Sequence, residues 1–392
     1  MPGSVIVAGA RTPIGKLSGA LASFSAMELG GFAITAALTR ASVAPEDVDY
    51  VFMGHVLQAG QGQITARQAA HKAGIPMTVP ATTVNKVCLS GLNALYLADQ
   101  MIASGDAEVV VAGGMESITN APYLLPGARA GLRIGDGVVV DSTMLDGLTC
   151  AFDACSMGLA TERYAAGTLT REAQDELAAK SHERAAAAIK EGRFADEIAP
   201  VAVPQRKGDP VLVETDEGVR PGTTVESLGT LKPAFDKQGT ITAGNASQIS
   251  DGGCAMVIMS RAKAEEKGVT PLAELVSYGQ VAGPDASLLH QPSRAIKAAL
   301  AKVDKQVTDL DLFELNEAFA AVGLASMDDL GITDAVTNVN GGAIALGHPI
   351  GVSGNRILLH LVNELRRRGG GTGAAALCGG GGQGDAAIIK TL

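Results

Sequence analysis

Two cysteines and a histidine, each set in a glycine-rich turn, carry the chemistry this sequence most directly offers. Cys88 stands in VNKVCLSG just before an apolar run, His348 in GGAIALGHPIG, and Cys378 in CGGGGQG. A thiol attacks an acyl carbon as its thiolate, and a helix N-terminus or a nearby histidine favours that form. The run after Cys88 predicts a helix over Leu89 to Ala103, apolar nearly all round and therefore buried, so that its dipole acts in a water-poor site. A large side chain has little local reason to stand in Gly347-His348-Pro349, and there it can serve as a base or an oxyanion donor. Backbone N–H groups of the four glycines after Cys378 can cradle an oxyanion. Their spacing is not G-x-G-x-x-G and no helix with a later acidic partner follows, which argues against a dinucleotide loop. Taken alone, Cys88 reads as a small buried hydrophobe and His348 as a hydrogen-bonded structural residue.

Duplication of the elements that position them changes that balance. Thr82 to Ser117 runs Val-Asn, a turn, Ser-Gly, an apolar helix and a strand ending in Gly-Gly. Asn338 to Gly384 repeats the order with a longer turn, matching Val84-Asn85 to Val339-Asn340 and Ser90-Gly91 to Ser353-Gly354. The second helix is expected over Ser353 to Arg368, with Ile357, Leu358, Leu361, Val362 and Leu365 on its apolar side and three arginines complementing its dipole before Gly369 stops it. A strand over Ala374 to Leu377 then delivers Cys378 at its carboxyl end, where open α/β sheets place their chemistry. Two copies of one βα unit each contribute a reactive residue from a turn.

The 392 residues exceed what one core supports, so more than one domain is expected. A net charge of −10 without a basic stripe argues against nucleic acid as partner. No membrane span is expected, because the most apolar helix is short and broken by Asn93 and Asp99. Met1-Pro2-Gly3-Ser4 offers no charged region ahead of Val5 to Ala8, which reads as a first strand and not a signal peptide. Five cysteines, an odd number, suit reduced thiols in a cytoplasm. Cys150 and Cys155 are close in sequence, but nothing completes a zinc set, so no metal is expected.

Along the chain, a helix from about Ser25 to Thr39 should bury Leu29, Phe32, Ala33, Ala36 and Ala37. A strand follows over Val48 to Gly54 and a helix over Thr65 to Ala73. Residues 119–248 change to turns and short strands and read as an inserted loop domain between the N-terminal half, 1–118 with 249–268, and the C-terminal half, 269–392. Its one clear helix is capped by Thr170, with Glu172 in the first turn and Ala173, Leu177, Ala185, Ala188 and Ile189 on the inner face. His182, among charged residues there, reads as a solvated surface histidine. Leu310 to Leu315 is a strand delivering Asn316-Glu317-Ala318-Phe319.

Together VNKVCLSG, GNAS, NEAFA, GGAIALGHPIG and CGGGGQG, with GARTPIGK near the start, resemble the thiolase family over essentially the whole chain. The resemblance implies an α/β fold of two duplicated halves layered α-β-α-β-α. It implies ping-pong acyl transfer between acyl-CoA molecules. Cys88 takes the acyl group, Cys378 removes a proton from the α-carbon of a second acetyl-CoA, and a Claisen condensation follows, with thiolysis of a 3-oxoacyl-CoA as its reverse. The histidine matching His348 activates the nucleophile and, with a water on the residue matching Asn316, stabilises the enolate. Backbone N–H groups of Cys88 and Gly380 form a second oxyanion hole.

By the same resemblance Ser247 and Ala243 touch pantetheine, with Leu148, Met157, Ala318 and Phe319 beside it, and Arg220 and Phe235 meet the adenine nucleotide. Coenzyme A thioesters are then substrates, and no cofactor is implied. Homo-oligomers are implied as well, a tetramer before a dimer, with Tyr123 to Val140 as the assembly loop. Two departures bear on acyl preference: Ser156 replaces a histidine before Met-Gly, and Gln248 replaces the second glycine often found after GNAS. The alternatives are a degradative thiolase for longer or branched 3-oxoacyl-CoA and, in another class, a non-catalytic acyl-CoA-binding or scaffold subunit.

Overall fold

A computed structural model describes residues 4–392. The reading of Met1-Pro2-Gly3 lies outside those residues, and the strand expected after it is β1, Ser4–Arg11. The N-terminal half continues with α1 (Ala26–Ala41), β2 (Tyr50–Gly54), α2 (Thr65–Lys72), β3 (Ala81–Val84), α3 (Ser90–Ser104) and β4 (Val109–Glu116), and closes with β5 (Ser250–Ser260). Between β4 and β5 lies the irregular region, with α4 (Arg171–Lys190) as its long helix. The C-terminal half repeats the pattern as β6 (Ala273–Ala282), α5 (Gln291–Ala301), β7 (Leu312–Leu315), α6 (Ala320–Leu330), the short α7 (Ala343–Leu346), α8 (Ser353–Arg367), β8 (Thr372–Gly379) and β9 (Gln383–Thr391).

The strands run in the order β7-β8-β9-β6-β1-β5-β4-β2-β3. Only Val5↔Glu274 and Ile6↔Ala273 join β1 to β6, so each half keeps its own sheet. Apolar residues on both faces of each sheet cover themselves with helices. α1 and α2 pack on the outer face of the first sheet, through Ala33, Ile34, Ala37, Ala66 and Ala69. α5 and α6 cover the second, through Ala295, Ile296, Ala299 and Met327. The central layer is α3 and α8, where Leu92, Leu95 and Ala98 share one core with Ile357, Leu358, Leu361 and Leu365. This is the expected five-layer α-β-α-β-α stack.

The repeated Ser-Gly pairs explain why those two helices can be neighbours. A Cβ on Gly354 would stand 2.4 Å from the backbone nitrogen of Leu92, and one on Gly91 2.9 Å from the carbonyl of Gly351. The helices touch backbone to backbone at their first turns, which brings the turns that precede them together.

Two expectations fail. Phe32 is 38% exposed, packing edge-on against Phe24 with centroids 5.2 Å apart, and Ala36 is only half-buried. The apolar stripe of α1 is narrower than its composition suggests, running through Leu29, Ala33, Ile34 and Ala37. His182 is not solvated but 2% exposed. Helix α4 is clamped against α6 and α7, burying a polar face of Gln174, Asp175, Ser181 and His182. His182 Nδ1 accepts the backbone N–H of Arg220 at 3.1 Å, and burial with that arginine nearby pushes its pKa down to about 4. Arg11, fully buried, fastens the inserted region to the first half through Asp216 (2.7 and 2.9 Å) and Glu197 (2.8 Å).

Among the described residues no helix is long and apolar enough to cross a membrane. None of their His, Cys, Asp and Glu side chains form a group placed to hold a metal ion.

Candidate active site

Cys88 sits two residues ahead of α3, in a turn fixed by its own side chains. Asn85 Oδ1 accepts from Val87 N–H (3.1 Å), Ser90 Oγ accepts from Lys86 N–H (2.8 Å), and the Ser90 hydroxyl donates to the Val87 carbonyl (2.6 Å). Val87 is held at φ 52°, left-handed and unusual for a β-branched residue. Such strain collects where a neighbouring atom must be aimed. The Cys88 thiol faces its own N–H and that of Gly380. Cys378, at the end of β8, is fully buried and close enough to Cys88 for that sulfur's charge to disfavour the Cys378 thiolate.

At Cys88 desolvation outweighs the two N–H groups that face the sulfur. Desolvation pushes its thiol up to about 12, the two N–H groups pull it down by less, and Cys378 is pushed higher still by burial and by Cys88. Both shifts favour the protonated thiol, although the Cys88 side chain is only half-buried. Nucleophilic attack therefore needs a base.

His348 lines the cleft as a neutral imidazole. Its N–H donates to the Gln248 carbonyl at 3.0 Å, and its Nδ1 lies 2.6 Å from Ser353 Oγ. Burial and the nearby Arg356 charge push its pKa down to about 4, so the ring is neutral. Its Nε2 is buried without a protein partner, as are both side-chain polar atoms of Asn316. Asn316 leaves the end of β7 beside β8, its N–H on the Ala376 carbonyl at 3.0 Å, so it emerges next to Cys378. Buried polar groups are normally paired, and unpaired ones mark a site built for a reacting partner.

A cleft of about 510 Å3 runs from His348 to the surface, lined by Leu148, Met157, Arg220, Phe235, Ala243, Ser247 and Phe319. Ala318 stands just behind it, its carbonyl accepting Ser247 N–H at 3.0 Å. A second cavity, about 580 Å3, reaches Val87 and Gly380 and shares Met157 with the first. Phe235 and Phe319 meet edge-on with centroids 6.2 Å apart, and Gly158 leaves room for the Phe235 ring, which would stand 2.3 Å from a Cβ there. Arg220 is exposed at the mouth. Ser156, the departure before Met-Gly, caps the helix Met157–Ala165, its Oγ accepting Leu159 N–H at 3.2 Å.

Three contributors escaped the sequence reading. Glu116, at the end of β4, accepts N–H bonds from Val56 (3.2 Å), Leu57 (3.1 Å) and Gly351 (2.9 Å), pinning the His348 loop to the first half. Burial pushes its carboxyl up to about 7. Ser353 orients the histidine, and Gln248 holds its backbone. The repeat marks Ser353 as part of a helix start and the family resemblance marks Gln248 as a departure, but neither specifies a contact partner.

Taken together, these features define a duplicated five-layer α/β protein with a cleft that reaches His348 and an adjoining cavity that reaches Val87 and Gly380. Residues 4–262 match the thiolase N-terminal domain and residues 269–391 the thiolase C-terminal domain. The chain belongs to the thiolase family. It is 57% identical over 387 residues to a probable acetyl-CoA acetyltransferase of Mycolicibacterium smegmatis, covering 98% of this chain and 100% of that one. To the acetyl-CoA acetyltransferase of Cupriavidus necator it is 53% identical over 388 residues, 98% of each chain. The crystal structure of the Bacillus anthracis acetyl-CoA acetyltransferase superposes with a TM-score of 0.97 at 42% identity, over 100% of this chain and 99% of that one.

Proposed function

We propose that this thiolase joins two acetyl-CoA molecules into acetoacetyl-CoA and free coenzyme A by ping-pong Claisen condensation, and runs the thiolytic reverse. The observation that supports this is a pair of neighbouring raised thiols, one facing the Gly380 N–H, beside two adjoining cavities of which one reaches Gly380 and the other a neutral, buried His348.

The proton inventory closes on these groups alone. His348 Nε2 takes the Cys88 proton as the sulfur attacks the thioester carbon, and the N–H groups of Cys88 and Gly380 hold the oxyanion. The C–S bond to coenzyme A breaks, and Cys378 protonates the departing thiolate. Cys378 is now a strongly basic thiolate beside a protonated imidazole, and it removes the α-proton of the second acetyl-CoA. The enolate oxygen is stabilised by His348 Nε2–H and a water held by Asn316. Its carbon attacks the acetyl group on Cys88, and the released sulfur recovers its proton from His348. The raised pKa keeps Cys378 protonated until the coenzyme A sulfur departs and makes the thiolate it then becomes a strong base.

In this reading pantetheine lies along Leu148, Met157, Ala243, Ser247, Ala318 and Phe319, with Arg220 and Phe235 at the nucleotide end. No cofactor takes part. A homotetramer in a reducing cytoplasm is the state we assign. Its support is the segment after β4, where Tyr123, Leu132, Ile134, Val138 and Val139 are all more than half exposed, and five unpaired cysteines. Light scattering tests the assembly, and a monomer at micromolar concentration removes that assignment.

The deciding experiment is the mass of the Cys88 peptide after brief incubation with acetyl-CoA and an acid quench. One acetyl group on Cys88 is expected. An unmodified peptide in folded, reduced protein overturns the proposal.

A further inference from the structure

Gln248 replaces a glycine of the resembling pattern, and its side chain makes contacts that a glycine cannot. Its Nε2 lies 2.9 Å from the Gly218 carbonyl, 2.9 Å from that of Ile344 and 3.1 Å from that of Ala345. Gly218 belongs to the loop Asp216–Arg220 that ends at the cleft mouth, whereas Ile344 and Ala345 form α7, directly ahead of His348. The Gln248 carbonyl also accepts His348 N–H at 3.0 Å. One residue thus bonds the loop bearing Arg220, the helix before the catalytic histidine and that histidine's backbone.

The rest of the loop is fastened residue by residue. Asp216 binds Arg11 and accepts Ile14 N–H at 2.8 Å, Glu217 N–H donates to the Ile14 carbonyl at 2.9 Å, and Arg220 N–H donates to His182 Nδ1 at 3.1 Å. Gly218 allows the close approach, since a Cβ there would stand 2.8 Å from the Ala345 carbonyl and 3.0 Å from Gln248 Nε2. Arg220 itself has an exposed guanidinium, without a side-chain partner among the described residues, on a fixed backbone, the arrangement by which a long side chain meets a phosphate at low ordering cost.

We infer that Gln248, with His182, is a positioning residue that fixes the Arg220 loop in register with His348 and so determines how strongly the enzyme discriminates coenzyme A thioesters from thioesters lacking the nucleotide. The inference rests on the proposed cleft assignment. With glycine at 248 the three carbonyls lose their shared donor and the loop is free to shift away from the histidine turn.

The test compares acetyl-CoA with acetyl-pantetheine, which carries the same thioester without the nucleotide, as the ratio of their kcat/KM values. Gln248→Glu keeps the shape and replaces the donor by an acceptor facing three carbonyls. Gln248→Gly substitutes the residue of the resembling pattern and guards against a variant that fails to fold. Both are expected to lower the ratio about tenfold, mainly through KM for acetyl-CoA. Arg220→Ala lowers it similarly, and adding Gln248→Glu to Arg220→Ala produces little further loss, because the two act through one contact. A wild-type ratio near one overturns the cleft assignment, and the inference with it. A high wild-type ratio that Arg220→Ala reduces and both Gln248 variants leave in place overturns the inference alone.

Discussion

His348 Nδ1 stands 2.6 Å from Ser353 Oγ, and that oxygen is also 3.1 Å from the Pro349 carbonyl. A carbonyl only accepts, so the Ser353 hydroxyl donates to Pro349 and receives Nδ1–H from the histidine. This tautomer leaves the Nε2 lone pair free as the base. Ser353→Ala removes the acceptor and releases the ring to either tautomer. The expected outcome is a fall in kcat on the order of tenfold to a hundredfold with KM for acetyl-CoA nearly unchanged, within the range for general-base assistance. Wild-type turnover in Ser353→Ala removes the serine from the mechanism.

With burial holding His348 down to about 4, the ring stays neutral over the whole physiological range. Acid should abolish Cys88 acetylation only as the pH approaches 4, not around the ordinary imidazole value near 6.5. Stability carries the same sign from this residue. Its folded pKa is below the unfolded one, so its contribution is complete above about 6.5 and is lost as pH falls toward 4. A stopped-flow acylation profile with a midpoint between 6 and 7 contradicts the assignment.

Desolvation pushes the Cys88 thiol up to about 12, which favours its protonated form. Its alkylation by iodoacetamide should therefore keep climbing with pH through 9 without levelling, in contrast to an activated thiolate that plateaus near neutrality. Rates followed by mass spectrometry of the Cys88 peptide decide this. A plateau below pH 8 means that the histidine holds a standing thiolate, and the proton route through Nε2 fails.

Much of this was legible in the chain because the chemistry is concentrated in turns between strongly apolar elements. The duplicated Val-Asn…Ser-Gly units foretold α3 and α8, and the strand ends foretold Cys378 and Asn316. What stayed hidden depends on contacts between distant segments. The helical pattern around His182 is charged, and only the packing of α4 on α6 and α7 reveals that its polar face is buried. Phe32 sits one residue outside an apolar stripe that small side chains make narrow. Glu116 follows a run of buried strand residues, and nothing local says that three N–H groups from two loops will converge on it.

Asn316 is buried with neither side-chain polar atom paired to protein, beside the end of β8. In the proposed cycle it serves only the enolate, which forms after Cys88 is acylated. Asn316→Ala should leave the burst of Cys88 acetylation intact while lowering steady-state condensation about a hundredfold to a thousandfold, the loss typical for one oxyanion donor. Equal losses in both half-reactions point instead to a general disturbance of the strand ends.

The crossing of α3 and α8 makes the strongest claim on stability. Gly354 meets Leu92 through backbone, where a Cβ would lie 2.4 Å from the nitrogen and 2.7 Å from the Leu92 Cβ. Neither atom is the far end of a flexible side chain, so Gly354→Ala must part the helices rather than turn a rotamer. Overpacking a tight core costs about 1–3 kcal/mol, and a backbone contact belongs at the upper end. The two helices also carry the turns that present Cys88 and His348, so separating them widens the gap between nucleophile and base. Gly354→Ala is expected to lower Tm by several degrees and acylation by more than Tm alone accounts for, measured well below the transition on protein of native circular dichroism. Full acylation with a lowered Tm places the crossing in stability only, and an unchanged Tm refutes the close approach itself.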